Sequence, residues 1–248
     1  MSCALITGAS SGLGKEIALA LAKIGYKLVL VSSNKQKLKD LQLVIDGLYP
    51  SICEIIQADL TKENDLKLVI DRIRQTSSHV DILVNCAGYM LKSDFRSTSL
   101  EQEINQLELL VKVPLVLTHT ALSEMIKRRN GFVLNVCSIR ALLRGSSYDA
   151  ARNYLFVLSE ALHEKYSEFG INISVLTSGR LQQSDEKIQH ESFWHFLLYE
   201  KVDKVANLAL RGMFSGKNII VPSFQNKVLL HLLRILPMKL IRRYSNSI

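Results

Sequence analysis

Short, nearly continuous apolar runs recur along the chain, at residues 4–7, 27–31, 53–57, 81–85, 131–137, 172–176 and 218–221. Each has the length of a strand, and most do not alternate apolar with polar residues. A strand that is apolar on both sides is buried on both faces, so the pattern predicts a parallel sheet covered by helices. Between the runs lie stretches with helical periodicity. Ile17, Leu21 and Ile24, with Ala18, Ala20 and Ala22, predict a helix stopped by Gly25, a residue suited to the left-handed turn after a helix. Leu38, Leu41, Ile45 and Leu48 predict a second helix. Leu66, Val69, Ile70 and Ile73 predict a third, with Thr61 as its N-cap. A long pattern from about 100 to 126 contains Pro114, which predicts a kink or break. A further helix, at 150–169, closes at Gly170. The alternation predicts an α/β fold, a doubly wound sheet whose ligands bind at the carboxyl ends of the strands.

The chain has 248 residues, 48% hydrophobic and 22% charged, which suits one well-packed domain spanning 1–248 and not a disordered chain. No stretch reads as a linker, a repeat array or a low-complexity tract. The formal net charge of +8 raises the question of an anionic partner: nucleic acid, lipid or a phosphorylated cofactor. Part of the excess is local, because Lys227, Arg234, Lys239, Arg242 and Arg243 cluster near the end with no acidic neighbour. Basic and aromatic residues are not interleaved as in single-strand binders, so no nucleic-acid partner is expected. Cys3, Cys53, Cys86 and Cys137 lack C-x-x-C spacing and mostly lie in apolar runs. They read as small buried side chains in a reducing compartment. With no charged segment leading into an apolar one at the start, the expected location is cytoplasmic.

Thr7-Gly8-Ala9-Ser10-Ser11-Gly12-Leu13-Gly14 connects the first strand directly to the first helix. Glycines here serve a tight turn, close approach of backbone N–H groups to a pyrophosphate, and close packing of helix on strand. The helix N-terminus then offers free donors and the positive end of its dipole. Gly8, Ser10, Ser11, Gly12, Leu13 and Gly14 are therefore candidate cofactor-binding residues. Ile6 and Ala9 lie near the same turn and read equally well as packing.

T-G-x-x-x-G-x-G resembles the glycine motif of the short-chain dehydrogenases/reductases, and four further stretches follow in that family's order. Asp59-Leu60 resembles the acidic position beside the adenine. Asn85-Cys86-Ala87-Gly88 resembles the N-A-G motif. Asn135-Val136-Cys137-Ser138 resembles the strand end carrying the family's serine, and Tyr148 opens a helix like that of its Y-x-x-x-K motif. The resemblance covers roughly residues 3 to 222. It implies a Rossmann-type fold with a seven-stranded parallel sheet and helices on both faces, and a homodimer or homotetramer. Asn85, Ala87 and Gly88 would line the nicotinamide ribose, and Gly179 would follow the sixth strand beside the cofactor. The second strand ends Val31-Ser32-Ser33-Asn34-Lys35, with no acid for a ribose 2′-hydroxyl. Ser33 and Asn34 can donate to a 2′-phosphate, and Lys35 or Lys37 can add charge, so NADP(H) is favoured over NAD(H).

The same resemblance assigns chemistry. Ser138 would hold the substrate oxygen, Tyr148 would act as general acid/base, and a cation one turn on would lower the phenol pKa and hold the ribose. Four departures stand out. Arg152 replaces the lysine, keeping the charge on the same helix face but unable to lose a proton at working pH. Leu110 falls where the family's relay asparagine aligns, reading L-V-K-V-P-L against its N-x-x-x-P pattern; other registers exist, with Asn105 five positions away. Ser138 and Tyr148 stand ten positions apart, closer than is usual in the family, and Ser178-Gly179 replaces its P-G. The expected function is an NADP(H)-dependent oxidoreductase acting on a carbonyl or secondary alcohol. The alternative is a catalytically impaired dinucleotide-binding scaffold or sensor.

Residues 180–200 would form the substrate lid. Gln182, Gln183, Phe193, Trp194, Phe196 and Tyr199 suggest an apolar substrate. His190 and His195 have no third ligand, and no metal is expected. The 224–248 segment is basic and amphipathic. Its 228–244 stretch is too short and charged to span a bilayer; it either lies on an anionic membrane surface or packs on the lid or a second subunit.

Overall fold

The computed structural model describes residues 2–91, 93–142, 145–182 and 199–235. Its strands are β1 (Cys3–Thr7), β2 (Lys27–Ser32), β3 (Cys53–Gln57), β4 (Ile82–Asn85), β5 (Gly131–Ser138), β6 (Ile171–Ser178), β7 (Arg180–Gln182), β8 (Tyr199–Lys201) and β9 (Ile219–Ile220). Seven of them form one parallel sheet in the order β3-β2-β1-β4-β5-β6-β9. The order reverses between β1 and β4, the point at which such sheets open a crevice. The remaining two, β7 and β8, pair in parallel as a small separate sheet that the hydrophobic pattern did not announce.

The continuous apolar runs have a direct cause. Successive side chains of a strand point to opposite faces, and both faces of this sheet are covered. Leu5 packs on one side with Val29, Leu83, Leu117 and Ile173. Its neighbour Ile6 packs on the other with Ile17, Leu21, Leu134 and Met213. The helices are α1 (Gly12–Lys23), α2 (Lys35–Leu48), α3 (Glu63–Arg74), α4 (Leu100–Leu107), α5 (Val113–Arg128), α6 (Ser147–Tyr166), α7 (Val202–Phe214) and α8 (Phe224–Ile235).

Gly25 ends α1 as expected. With φ +84° it donates to the Ala22 carbonyl at 2.9 Å while Tyr26 donates to Leu21 at 3.1 Å, the paired bonds of a Schellman turn. Ile24 does not join the core: as the C-cap it lies beyond the last inward turn and is exposed. Leu48, the last residue of α2, is exposed for the same reason. Thr61 is not the cap of α3. Its backbone N–H and hydroxyl both donate to Asp59 Oδ1, at 3.2 and 2.7 Å, and the helix starts two residues later with Lys62 as an N-cap that makes no side-chain bond. Glu63 and Asp65 in the first turn answer the helix dipole instead.

Pro114 does not break its helix. A π-helical turn at Glu108–Lys112 links α4 to α5, so that Leu100–Arg128 is continuous over 29 residues. A proline has no N–H for the carbonyl one turn back, and the wider turn absorbs that mismatch. This segment is long and apolar enough to cross a membrane, but half of its most apolar window is buried inside the protein, as in a core helix. At the other end, α8 packs against the short 3-10 turn Ile139–Leu142, with Asn226 and Leu230 buried. The first part of the basic segment thus belongs to the domain; residues 236–248 lie outside the described residues. All four thiols are free. Cys3 and Cys137 are buried, whereas Cys53 and Cys86 are half-buried.

Candidate active site

A cleft of about 390 Å³ opens at the carboxyl ends of β1, β4, β5 and β6. Its walls are the turn residues Gly8, Ser10, Ser11, Gly12 and Leu13, the Cys86, Ala87 and Gly88 stretch after β4, Val136, Cys137 and Ser138 of β5, Tyr148 and Arg152 of α6, and Ser178, Gly179 and Leu181.

The glycine turn is shaped by close approach. Gly8 has φ +68°, and a Cβ there would stand 2.9 Å from the Ala87 backbone. A Cβ on Gly14 would lie 2.3 Å from the Gly8 carbonyl oxygen, so Gly14 seats α1 against the turn and does not face the cleft. Ser11 is the N-cap of α1 but its hydroxyl caps nothing, and the first turn holds no acid. The first N–H groups of α1 and its positive dipole end are left for an anion, which fits a dinucleotide pyrophosphate. Thr7 supplies a tie that the apolar pattern concealed. Its hydroxyl donates to the Val84 carbonyl at 3.3 Å and accepts from the N–H groups of Cys86 and Ala87 at 3.0 and 3.2 Å, locking the ends of β1 and β4 together. The available signal was a hydroxyl at the end of a fully buried strand, which must find partners.

Several candidate cofactor residues have other work. Ser33 and Asn34 are exposed beyond β2. Asn34 Oδ1 accepts the Lys37 N–H at 3.0 Å as the cap of α2, so its carbonyl is committed. Ser32 donates to Ser10 across the base of the turn at 2.7 Å. The Asp59 carboxylate holds Thr61, and Leu60 packs into the core with Leu66 and Val69. Asn85 does not line the cleft. Its amide donates to Thr118 at 3.0 Å and to Asn135 at 2.8 Å, and Asn135 in turn donates to Ser159 at 2.9 Å. That buried chain ties β4 and β5 to α5 and α6, and it draws Asn85 inward toward its partners on the neighbouring strand and on α5. Ile6 and Ala9 are core packing.

Ser138, Tyr148 and Arg152 converge on the cleft wall. Ser138 Oγ accepts the Arg140 N–H at 3.3 Å. Tyr148 lies in the first turn of α6 and Arg152 one turn on. The Arg152 guanidinium carbon is 5.3 Å from the centre of the Tyr148 ring, and Nη1 donates to the Val136 carbonyl at 2.7 Å. Burial works against the Arg152 charge, but Tyr148, Cys137 and Cys86 outweigh it and hold its pKa above the ordinary value. Burial pushes the Cys86 and Cys137 thiols up to about 11, with Arg152 opposing, so neither is a thiolate near neutral pH. Gly88 makes room for this arrangement: a Cβ there would stand 2.6 Å from Arg152 Nη2 and 2.7 Å from Leu110 Cδ2.

Leu110 is fully buried and, with Asn85, Pro114, Arg152 and Leu155, lines a cavity of about 10 Å³. Asn85 Oδ1 and Arg152 Nε have no hydrogen-bond partner, and Leu110 has none to offer. Gly179 donates its N–H to Glu200 Oε2 at 2.9 Å; Glu200, on β8, carries no local signal and was not foreseen. Of the expected lid, Tyr199 lies in β8 and Gln182 in β7, while Gln183, His190, Phe193, Trp194, His195 and Phe196 lie outside the described residues. Among the described residues, no three metal-ligating side chains cluster.

The sequence pattern described as short chain dehydrogenase matches residues 2–192. An uncharacterised oxidoreductase of Staphylococcus aureus is 27% identical over 179 residues, 71% of this chain and 76% of that protein. Mouse 17-beta-hydroxysteroid dehydrogenase type 3 is 34% identical over 182 residues; the match spans 70% of this chain and 58% of the mouse protein's length. Among solved structures, a short-chain dehydrogenase from Sphingobium yanoikuyae in complex with NADPH superposes with a TM-score of 0.82 at 23% identity, covering 96% of this chain and 97% of that one. A 7beta-hydroxysteroid dehydrogenase superposes with a TM-score of 0.90 at 18% identity, covering 99% and 96%. The match over most of its length, on a fold shared with those structures, makes this chain a member of the short-chain dehydrogenase family.

Proposed function

We propose that this chain is an NADP(H)-dependent oxidoreductase acting on a carbonyl or secondary alcohol of an apolar substrate. The observation that carries this reading is that Ser138, Tyr148 and Arg152 share one cleft with the glycine turn and the open N-terminus of α1. Nicotinamide, when bound, supplies or takes the hydride. The turn and the first N–H groups of α1 would hold the pyrophosphate. Exposed Ser33 after β2, with exposed Lys35 and Lys37 in the first turn of α2, favours a 2′-phosphate over a bare hydroxyl. Ser138 donates to the substrate oxygen. Tyr148 gives that oxygen a proton on reduction and takes it on oxidation. Arg152 holds positive charge beside the ring and cannot itself pass a proton. With Leu110 closing the inner side, Tyr148 exchanges its proton through the open side of the cleft.

Exposed Tyr89, Met90 and Phe95 after β4 support an apolar substrate. Exposed Leu100, Ile104 and Leu107 on α4, with Val157 on α6, support a homodimer or homotetramer. Four free thiols suit the cytoplasm.

The test is a fluorescence titration of the purified protein with NADPH and NADH, followed by reduction of a bulky aryl ketone by the native chain and by Tyr148→Phe. Tighter binding of NADPH and loss of turnover in the variant are expected. Binding of neither dinucleotide overturns the reading, and turnover indifferent to Tyr148→Phe overturns the role given to Tyr148. Arg152 and Leu110 favour one second reading, a dinucleotide sensor without turnover; NADPH binding with no hydride transfer to a panel of ketones would select it.

A further inference from the structure

Asp149, next to Tyr148, is fully buried. An acid in the first turn of a helix ordinarily stays at the surface, answering the dipole or closing a capping box on the N-cap residue. Asp149 holds that first-turn position of α6 but is buried, and it closes no capping box on Ser146. Its Oδ1 accepts from Arg140 Nε at 3.1 Å, and its Oδ2 accepts the Gly145 N–H at 2.9 Å. Arg140 and Gly145 flank the two ends of the connection between Ser138 and Tyr148, which is short in this chain. One carboxylate therefore grips both ends of it. The helix start is held as well: Ser146 Oγ accepts the Asp149 N–H at 3.2 Å.

The tie reaches the cleft through Arg140, whose side chain is held by Asp149 and whose backbone N–H donates to Ser138 Oγ at 3.3 Å. A serine hydroxyl has one donor and two acceptor sites. With one acceptor site taken by Arg140, the O–H is left to donate to a substrate oxygen, and accepting a bond strengthens the donor. A buried carboxylate persists only where its partners are fixed, and both partners here belong to this connection. Asn153 separately holds the Ala141 carbonyl at 2.9 Å, so loss of Asp149 would loosen Arg140 and Gly145 without freeing the whole segment.

We propose that Asp149 is a positioning residue: through Arg140 it sets the orientation of Ser138 relative to Tyr148. The inference concerns the same site and rests on the oxidoreductase reading for its catalytic consequence. Two measurements on Asp149→Asn test it. Amide hydrogen exchange by NMR on the whole chain should show protection lost at both Arg140 and Gly145, with the sheet amides unchanged. Steady-state reduction of phenanthrenequinone by NADPH, the probe used, should show kcat lowered about tenfold or more, part of the roughly 10²–10⁴-fold that general acid–base catalysis contributes, with KM for NADPH unchanged. Deprotection of Gly145 alone overturns the proposal, as does full kcat in Asp149→Asn when Tyr148→Phe is inactive. If the native chain shows no turnover, the oxidoreductase reading fails; if Tyr148→Phe turns over like the native chain, the role of Tyr148 fails; in either case the Arg140 amide alone decides whether Asp149 holds Ser138.

Discussion

The Arg152 guanidinium stands over the Tyr148 ring, 5.3 Å from its centre, and hydrogen-bonds the carbonyl of Val136 on the strand that carries Ser138. One side chain thus links the phenol to β5. Arg152→Met removes the charge and strands the buried Val136 carbonyl, at a cost of about 1–3 kcal/mol. Turnover should fall about 100-fold, as expected when a general acid/base loses its electrostatic support. Arg152→Lys keeps the charge and should keep most of the rate, while losing stability with the bond to Val136. Steady-state kinetics and urea unfolding check both variants; a fully active Arg152→Met would remove Arg152 from the mechanism.

Gly14 separates packing from direct contact in the glycine turn. Its Cβ would be driven against the Gly8 carbonyl at 2.3 Å, and backbone on both sides cannot yield. Gly14→Ala should push α1 off the turn, weakening NADPH binding by about tenfold or more and lowering stability by about 1–3 kcal/mol. Fluorescence titration and thermal unfolding measure the two effects. Unchanged affinity would show that the helix start is not part of the dinucleotide site.

Leu110 and Arg152 together close the inner side of the site. Leu110→Asn places an amide beside Asn85 Oδ1 and Arg152 Nε, both without partners. In the native background no gain in rate is expected, because arginine cannot release a proton. In the Arg152→Lys background the added amide should raise kcat on the order of tenfold over Arg152→Lys alone. Equal rates in the two backgrounds would show that no inner proton route is available to restore.

Cys137 predicts an alkaline limit. Burial raises its thiol from 9.0 to about 11 in the folded chain, with Arg152 opposing. The folded state then holds a proton that the unfolded chain loses above 9. Its contribution is present below pH 9 and declines as pH rises from 9 to 11. Cys137→Ser keeps a donor for the Arg152 carbonyl, which Cys137 Sγ contacts at 3.1 Å, but does not titrate there. Urea midpoints at pH 8 and pH 10.5 should fall further in the native chain than in the variant; parallel falls would contradict the shift.

Much of the fold was legible before any coordinates. The nearly continuous apolar runs marked the strands because the central ones are buried on both faces of the sheet, and Gly25 and Gly170 marked helix ends because few other residues take a positive φ without strain. The cleft was legible too, since a glycine turn between strand and helix has a local geometric meaning. Individual side chains were less so. Asn34 and Asp59 stand where the motif puts them, and Asn34 Oδ1 and Asp59 Oδ1 also hold Lys37 and Thr61, a second role that spacing does not reveal.

The sequence by itself determined the order of strands and helices along the chain, the glycine turn between β1 and α1 and the position of Tyr148 one turn before a permanent cation, because these follow from periodicity, glycine conformation and helix geometry over a few residues. Only the tertiary structure decided what the buried polar groups do. Asn85 turns inward because Asn135 and Thr118 reach it from distant parts of the chain, Gly88 is bare because Arg152 and Leu110 fill its place, and Asp149 is buried because Arg140 and Gly145 enclose it. Buried polar atoms must be satisfied wherever partners can be found, and the folded chain, not the local pattern, determines where those partners are.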